Sequence, residues 1–106
     1  LLGEAGADLI DCSSGSAIPG DAPPDGPAVQ RDFARVIRAR TDMPTAAVGG
    51  IVTAEEAEAL VANGSADIVL LARAMLRDPY WALHAARALG ETPSWPPQYA
   101  RAMGTG

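Results

Sequence analysis

The sequence has one cysteine, one histidine and few basic residues, and each scarcity excludes a class of protein. Cys12 has no partner for an internal disulfide, and a lone cysteine provides no metal cluster. Eight Lys and Arg residues stand against 13 Asp and Glu residues, for a formal net charge of -5. Nucleic-acid backbones are bound by clustered Lys and Arg, so this balance argues against a general nucleic-acid binder. The acidic charges are scattered and are explained by solubility.

Long apolar runs are also absent. No stretch approaches the roughly 20 residues needed to span a bilayer, and no signal-peptide pattern opens the chain. We therefore expect a soluble cytoplasmic protein with no membrane partner. The first residues, "LLGEAGADLID", are typical of a helix end running into a strand, without Met or an N-cap. With 106 residues and at most one domain, the chain is expected to be part of something longer.

The sequence does contain a regular alternation of strand and helix patterns. Apolar runs predict strands at residues 9–12, 45–49 and 67–72, and the last is expected to be buried on both faces. The predicted helices begin at Pro27, at the Thr53–Glu56 capping box and at Asp78-Pro79. Asn63-Gly64 suits the end of the second helix, and Gly90 the end of the last.

The first predicted helix has an apolar stripe at Val29, Phe33, Val36 and Ile37. Its charged residues are expected to face water; they are Arg31, Asp32, Arg35 and Arg38. A Gly- and Pro-rich loop separates this helix from the first strand. The proline-rich tail is expected to be extended, with Trp95 docking it onto the rest of the chain.

A weak internal repeat points to the fold. "GADLID" and "SADIVL" share a pattern at an offset of 59 residues, about two βα units of roughly 30 residues each. Successive βα units predict a parallel sheet with right-handed crossovers. Three such units fit a segment of a (β/α)8 barrel, which needs about 250 residues in full. We therefore predict a partial barrel over residues 1–90 and a tail over residues 91–106.

Two strand ends carry residues suited to an anion. Gly49-Gly50 follows the second strand, and Ala72-Arg73 follows the third. Small residues let backbone N–H groups approach phosphate oxygens, and an arginine adds a charged, two-pronged hydrogen bond. The "RAML" segment fits the short helix that often accompanies barrel phosphate sites. The spacing alone is equally compatible with a tight turn and a surface arginine.

At these residues the sequence resembles the Old Yellow Enzyme family of FMN-dependent oxidoreductases. "DLIDCSSG", "AVGGI", "DIVLLARAMLRDP" and "PPQYARAM" occur in order, and together they are similar to the C-terminal part of the bacterial, YqjM-like ene-reductases. The resemblance implies a (β/α)8 barrel of which this chain is strands 6 to 8. It implies FMN as cofactor, NADPH or NADH as hydride donor and an activated alkene as substrate.

The resemblance also implies roles for individual residues. The family's FMN-phosphate loops match Gly49, Gly50, Ala72 and Arg73, although most relatives have glycine where this chain has Ala72. Positions near the cofactor side of the barrel match Ser13 and Gln30. Arg101 occupies the place of a tail arginine that reaches a neighbouring subunit, which implies a homo-oligomer.

The family's substrate-anchoring and proton-donating residues match nothing in this chain, so we expect it to be inactive without an N-terminal barrel half. His84 lies inside a predicted helix and Cys12 inside a buried strand, and both are expected to be structural. Tyr99 lies on the tail, without the rigid placement that proton transfer needs. Asp11 and Asp67 are expected to brace strand ends. Two alternatives remain: another phosphate-binding barrel enzyme, and a non-catalytic truncated barrel that acts as an assembly unit.

Overall fold

The computed structural model describes residues 1–14 and 27–103, and the side chains of residues 27–29 and 103 lie outside that description. The predicted Gly- and Pro-rich loop and the stripe position Val29 therefore fall outside the described residues. The elements in chain order are β1 (Ile10–Cys12), α1 (Pro27–Arg40), β2 (Thr45–Val48), α2 (Ala54–Ala62), β3 (Ile68–Leu70), α3 (Arg73–Arg77), α4 (Trp81–Ala88) and a final 3₁₀ helix (Pro97–Met103).

The three strands form one parallel sheet in the order β1-β2-β3. Cys12 pairs with Ala47, and Val48 pairs with Leu70, so the strands end nearly level with one another. Because all three run the same way, their carboxyl ends share one edge of the sheet. This mixed α/β arrangement with a small parallel sheet is consistent with a fragment of a TIM barrel. No helix in the described ranges is long and apolar enough to cross a membrane.

Small side chains make up the centre of the fold. Cys12, Ala34, Ala47 and Ala66 form one buried cluster between α1 and the sheet, with Ile10 and Ile37 packed against it. Thr45 is fully buried, and its hydroxyl donates a hydrogen bond to the Ala34 carbonyl at 3.3 Å. Small residues let α1 approach β2 closely. The prediction that Cys12 is a small core residue is confirmed.

Large apolar side chains remain at the margins of the sheet. Ile68 in β3 is 47% exposed, Leu9 beside β1 is 37% exposed and Phe33 on α1 is 40% exposed. The expectation that the third strand is buried on both faces is therefore wrong for this structure. The reason is positional, because β3 lies at the end of the strand order and borders β2 on one side. Periodicity reports which faces are apolar and not what covers them.

The two turns around α2 form as predicted. Thr53 accepts a hydrogen bond from the Glu56 N–H, and the Glu56 carboxylate accepts from the Thr53 N–H, which completes the capping box. At the other end Gly64 has a φ of 75°, in the left-handed region that favours glycine. The prediction at Pro27 is also confirmed, since α1 begins there.

Two predictions in the last third of the chain are wrong in detail. The last helix begins at Trp81 and not at Pro79. The Asp78 carboxylate accepts from the Tyr80 N–H and the Asp78 carbonyl accepts from the Trp81 N–H, so residues 78–80 form a turn before α4. The tail is not extended throughout, since residues 97–103 form a 3₁₀ helix. Beyond Pro97 no proline interrupts the chain, so N–H groups are available for i to i−3 bonds, as from Tyr99 to the Pro96 carbonyl.

Aromatic side chains hold the tail against α4. The centre of the Trp95 ring lies 5.8 Å from the centre of the Tyr80 ring and 6.2 Å from that of His84. The Tyr80 and Tyr99 rings pack edge to face, with their centres 6.0 Å apart. His84 Nδ1 lies 2.6 Å from the Asp78 carboxylate, and this hydrogen bond lowers the pKa of Asp78. The expected docking by Trp95 and the structural place of His84 agree with these contacts.

Asp67 braces the amino ends of two strands. Its carboxylate accepts from Arg38 Nε at 3.0 Å and from the Thr45 N–H at 2.9 Å, tying α1 to β2. The hydrogen bond from Arg38 is the main cause that lowers the pKa of Asp67 below its ordinary 3.8, followed by the Thr45 N–H. The prediction for Asp67 is confirmed, while Asp11 is exposed on β1.

We predict that Asp67→Asn lowers stability at neutral pH and flattens its acid dependence. A carboxylate whose pKa is lower in the folded state stabilises above its unfolded pKa, here 3.8, and loses that contribution as pH falls through the lower folded value. The difference in free energy of unfolding between the two proteins should therefore shrink below pH 4. Urea unfolding should be measured from pH 7 to pH 3 in the natural polypeptide that contains these 106 residues, called the parent polypeptide below.

The matched control is Asp32→Asn, which removes an exposed ion pair to Arg35 three residues along α1. Exposed pairs of this kind contribute about 0–1 kcal/mol, so this variant should change stability little at any pH. A constant difference between wild type and Asp67→Asn across the pH range would contradict the assignment.

Candidate functional site

The two turns singled out in the sequence line a single cavity. A cavity of about 370 Å³ opens at the carboxyl edge of the sheet, between the ends of β2 and β3. This volume falls within the roughly 300–1,000 Å³ range of small-molecule pockets. Its described lining residues come from the segments after the two strands and from α3; they are Val48, Gly49, Gly50, Ile51, Val52, Leu70, Ala72, Arg73, Ala74 and Arg77.

The glycines have conformations that other residues avoid. Gly49 has a φ of 110° and Gly50 a φ of 61°, both in the positive range that a Cβ disfavours. Because neither residue carries a side chain, their backbone groups are exposed to the cavity without obstruction. The two glycines therefore end the strand and also form part of the cavity wall with backbone atoms alone.

The backbone conformation at position 72 is compatible with alanine in place of glycine. Its φ is -110°, which any L-residue adopts, so this position does not require glycine. Ala72 is also the N-cap of α3 and makes no side-chain capping hydrogen bond. The first N–H groups of α3 consequently face no capping side chain from Ala72. Alanine is small enough to preserve access to the cavity at this point.

The charge around the cavity is positive. Arg73 and Arg77 both line it, one turn apart on α3, and its described lining includes no carboxylate. Residues four apart lie on one face of a helix, so both guanidinium groups can serve the same ligand. Arg77 was missed in the sequence analysis, although its i+4 spacing from Arg73 is a signal that could have identified it.

Arg31 corrects a prediction. It was expected to face water, yet its side chain is 24% exposed and its Nε donates to the Gly49 carbonyl at 3.0 Å. Arg31 Nη2 also lies 3.8 Å from the Glu56 carboxylate. The predicted apolar stripe at residues 29, 33, 36 and 37 lies on the opposite side of α1 from Arg31. The described residues of α1 that are buried are instead Gln30 and Ala34, and Arg31 borders Ala34 around the helix, where a long side chain can fold toward the sheet edge.

Glu56 holds the far end of the same turn. Its carboxylate accepts from the Val52 N–H at 3.1 Å and the Thr53 N–H at 3.3 Å. The Val52 N–H is the largest cause that lowers the pKa of Glu56, followed by the Thr53 N–H. Glu56 is therefore an anchor of the turn, with its carboxylate bound to backbone.

Ser13 and Gln30 are not among the described lining residues, and both lie near the carboxyl end of β1. Ser13 follows β1 directly and is exposed, at the same edge of the sheet as Gly49. Gln30 is buried, and its amide nitrogen donates to the Ser14 carbonyl. The structure thus gives Gln30 a role in holding the segment after β1 and leaves Ser13 accessible.

Arg101 lies apart from the cavity lining. It is exposed on the 3₁₀ helix Pro97–Met103, which the aromatic contacts of Tyr80 hold against the body of the chain. Tyr99 is likewise exposed on this helix. The described residues include no group of three or more His, Cys, Asp or Glu side chains arranged to hold a metal ion.

The amino-acid sequence of the chain is similar to those of several known proteins. The chain is 46% identical over 86 residues to an NADPH dehydrogenase of Bacillus licheniformis, covering 81% of the chain and 25% of that relative. It is 46% identical over 89 residues to an NADPH dehydrogenase of a Geobacillus strain, covering 84% and 26%. With the NADPH dehydrogenase of Bacillus subtilis it shares 45% over 86 residues, covering 81% and 25%.

The chain spans about a quarter of the length of these relatives. A sequence model of the NADH:flavin oxidoreductase / NADH oxidase family matches residues 1–91, which include the three described strands and every described residue that lines the cavity. The chain therefore belongs to the NADH:flavin oxidoreductase / NADH oxidase family.

Proposed function

We propose that this chain forms the phosphate-binding part of an FMN site in an NAD(P)H-dependent oxidoreductase that reduces activated alkenes. The observation that carries the proposal is the shared cavity, in which Gly49, Gly50, Ala72 and Arg73 come together from two strand ends. Family membership favours a flavin nucleotide over a phosphorylated metabolite as the ligand. The relatives are named NADPH dehydrogenases, which favours NADPH as the hydride donor.

The residues present fit a phosphate group. Gly49 and Gly50 line the cavity without side chains, so phosphate oxygens could approach their backbone N–H groups. Arg73 and Arg77 supply positive charge from α3, which lines the same cavity. A guanidinium binds phosphate with two parallel hydrogen bonds, which fixes orientation as well as adding affinity.

The positions of these residues indicate what the cofactor and the protein would each contribute. Bound FMN would supply hydride transfer, the chemistry that no side chain provides. Gly49, Gly50 and Arg73 would bind and orient the phosphate end of the cofactor, and Ser13 and Gln30 would border the cofactor side of the same sheet edge. The apolar lining residues Val48 and Leu70 would exclude water beneath the phosphate.

The remaining chemistry belongs to other parts of the assembly. We place the three strands of this chain as strands 6 to 8 of a (β/α)8 barrel, with the other strands completing the flavin site. Arg101, held on the docked tail, would reach the substrate site of a neighbouring subunit in a homo-oligomer. The chain is expected to catalyse nothing without these partners.

Arg73→Ala tests the proposal. In the parent polypeptide we expect FMN affinity to fall about tenfold to hundredfold, because a charged hydrogen bond contributes about 1.5–3 kcal/mol. Titration of apoprotein with FMN, followed by flavin fluorescence, measures the dissociation constant. The unfolding midpoint of the apoprotein should hardly change, since Arg73 is exposed.

Arg87→Ala is the matched control. It removes an exposed arginine from the last turn of α4, outside the cavity lining, and should leave FMN affinity unchanged. Equal affinities for wild type and Arg73→Ala, or full flavin retention by Arg73→Ala after dialysis, would sink the proposal.

A further inference from the structure

The turn after β2 contributes four residues to the cavity lining, from Gly49 to Val52. Residues 49–53 connect β2 to α2 outside regular structure, and two of them are glycines with positive φ. Glycine loses more conformational freedom on ordering than any other residue. A turn of this composition presents a fixed set of N–H groups only if other contacts hold it in place.

Side chains from three helices supply those contacts. Glu56 of α2 binds the Val52 and Thr53 N–H groups, and Trp81 Nε1 of α4 donates to the Val52 carbonyl at 3.0 Å. These two hold the end of the turn nearest α2. Arg31 of α1 holds the glycine end, through its bond to the Gly49 carbonyl.

The bond to the Gly49 carbonyl also orients the next N–H group. The Gly49 C=O and the Gly50 N–H belong to one planar, trans peptide unit and point in opposite directions. When Arg31 fixes the carbonyl on the α1 side, the Gly50 N–H is directed away from α1, and Gly50 lines the cavity. A charged donor on the carbonyl also polarises the peptide, which makes its N–H a better donor to an anion.

The partial burial of Arg31 favours its contact with the Gly49 carbonyl. Its side chain is 24% exposed, against 57% for Arg35 one turn along α1. A partly buried contact is screened less by solvent and salt than an exposed one. Arg31 holds the glycine end of the turn and Glu56 holds the α2 end. The ion pair between Arg31 Nη2 and the Glu56 carboxylate, at 3.8 Å, connects these two ends.

We infer that Arg31 is a positioning residue for phosphate, acting through the Gly49–Gly50 peptide without touching the ligand itself. The inference rests on the proposed function and names the group that pre-orients the backbone wall of that site. It predicts selectivity, because Arg31 should matter for FMN and not for riboflavin, the same flavin without the phosphate.

The test compares Arg31→Met with wild type in the parent polypeptide. We expect the dissociation constant for FMN to rise about fivefold to tenfold and that for riboflavin to change less than about twofold. Arg31→Lys should recover most of the loss, since an ammonium can donate to the same carbonyl. Arg35→Met, from the exposed side of α1, is the matched control and should alter neither constant.

The outcomes separate the two proposals. Equal weakening of FMN and riboflavin by Arg31→Met would mean a general structural role and would overturn the inference. So would unchanged FMN affinity in Arg31→Met while Arg73→Ala still weakens it, and the proposed function would then stand. If wild type bound FMN and riboflavin equally and Arg73→Ala had no effect, both proposals would fall.

Discussion

Gly49→Val should weaken FMN binding strongly, raising the dissociation constant about fivefold to hundredfold. Gly49 has a φ of 110°, and a β-branched residue in that region is a strong outlier. Strain of this kind costs about 1–3 kcal/mol, and 2.8 kcal/mol corresponds to about a hundredfold in affinity. Relief of the strain would move the Gly49 carbonyl off Arg31 and turn the neighbouring peptide.

The affinity of Gly49→Val for FMN can be measured by flavin fluorescence in the parent polypeptide, beside Gly90→Val as the matched control. Gly90 follows α4, has a φ of 82°, and a Cβ built on it meets nothing within 4 Å. The control introduces the same kind of backbone strain far from the cavity lining, so it should lower the unfolding midpoint and spare FMN affinity. Comparable loss of FMN in both variants would show that strain anywhere in the chain disturbs the site.

The convergence of the two turns could be predicted because it follows from topology. Parallel strands that are neighbours must end at one edge, so Gly49 and Arg73 were bound to approach if the sheet was parallel. The capping box at Thr53 was equally predictable, since it depends on residues three apart in sequence. Local and topological rules therefore predicted where the cavity lies and that both turns line it.

Other features depended on information that a single sequence does not carry. Periodicity assigned Arg31 to the water-facing side of α1, whereas its bond to Gly49 depends on how α1 crosses the sheet edge. The exposure of Ile68 depends on what lies beyond β3. The start of α4 was misplaced because Asp78 suits two turns, one ending α3 and one opening α4. Long side chains and element margins are settled by tertiary contacts.

The 106-residue chain by itself should show no NADPH-dependent reduction of an activated alkene. Its described core consists mostly of alanines, while Leu9, Ile68 and Phe33 remain substantially exposed. In the described sheet β1 and β3 each pair with β2, so each has an edge open to another strand. Exposed apolar side chains beside open edges are expected to contact further protein, and the chain spans about a quarter of the length of its relatives.

The measurement is NADPH oxidation with cyclohexenone, for the chain alone and for a fusion to the remaining three-quarters of the Bacillus licheniformis NADPH dehydrogenase. The isolated chain should stay at the buffer rate and should self-associate in sedimentation. The fusion should bind FMN and oxidise NADPH in response to the alkene, because under the proposed function the added segment would cover the open edges and complete the flavin site. The same fusion carrying Arg73→Ala should need about tenfold to hundredfold more FMN for half-maximal activity. Turnover by the isolated chain would contradict this division of labour, and a well-folded fusion that takes up no flavin would contradict the assignment of the cavity.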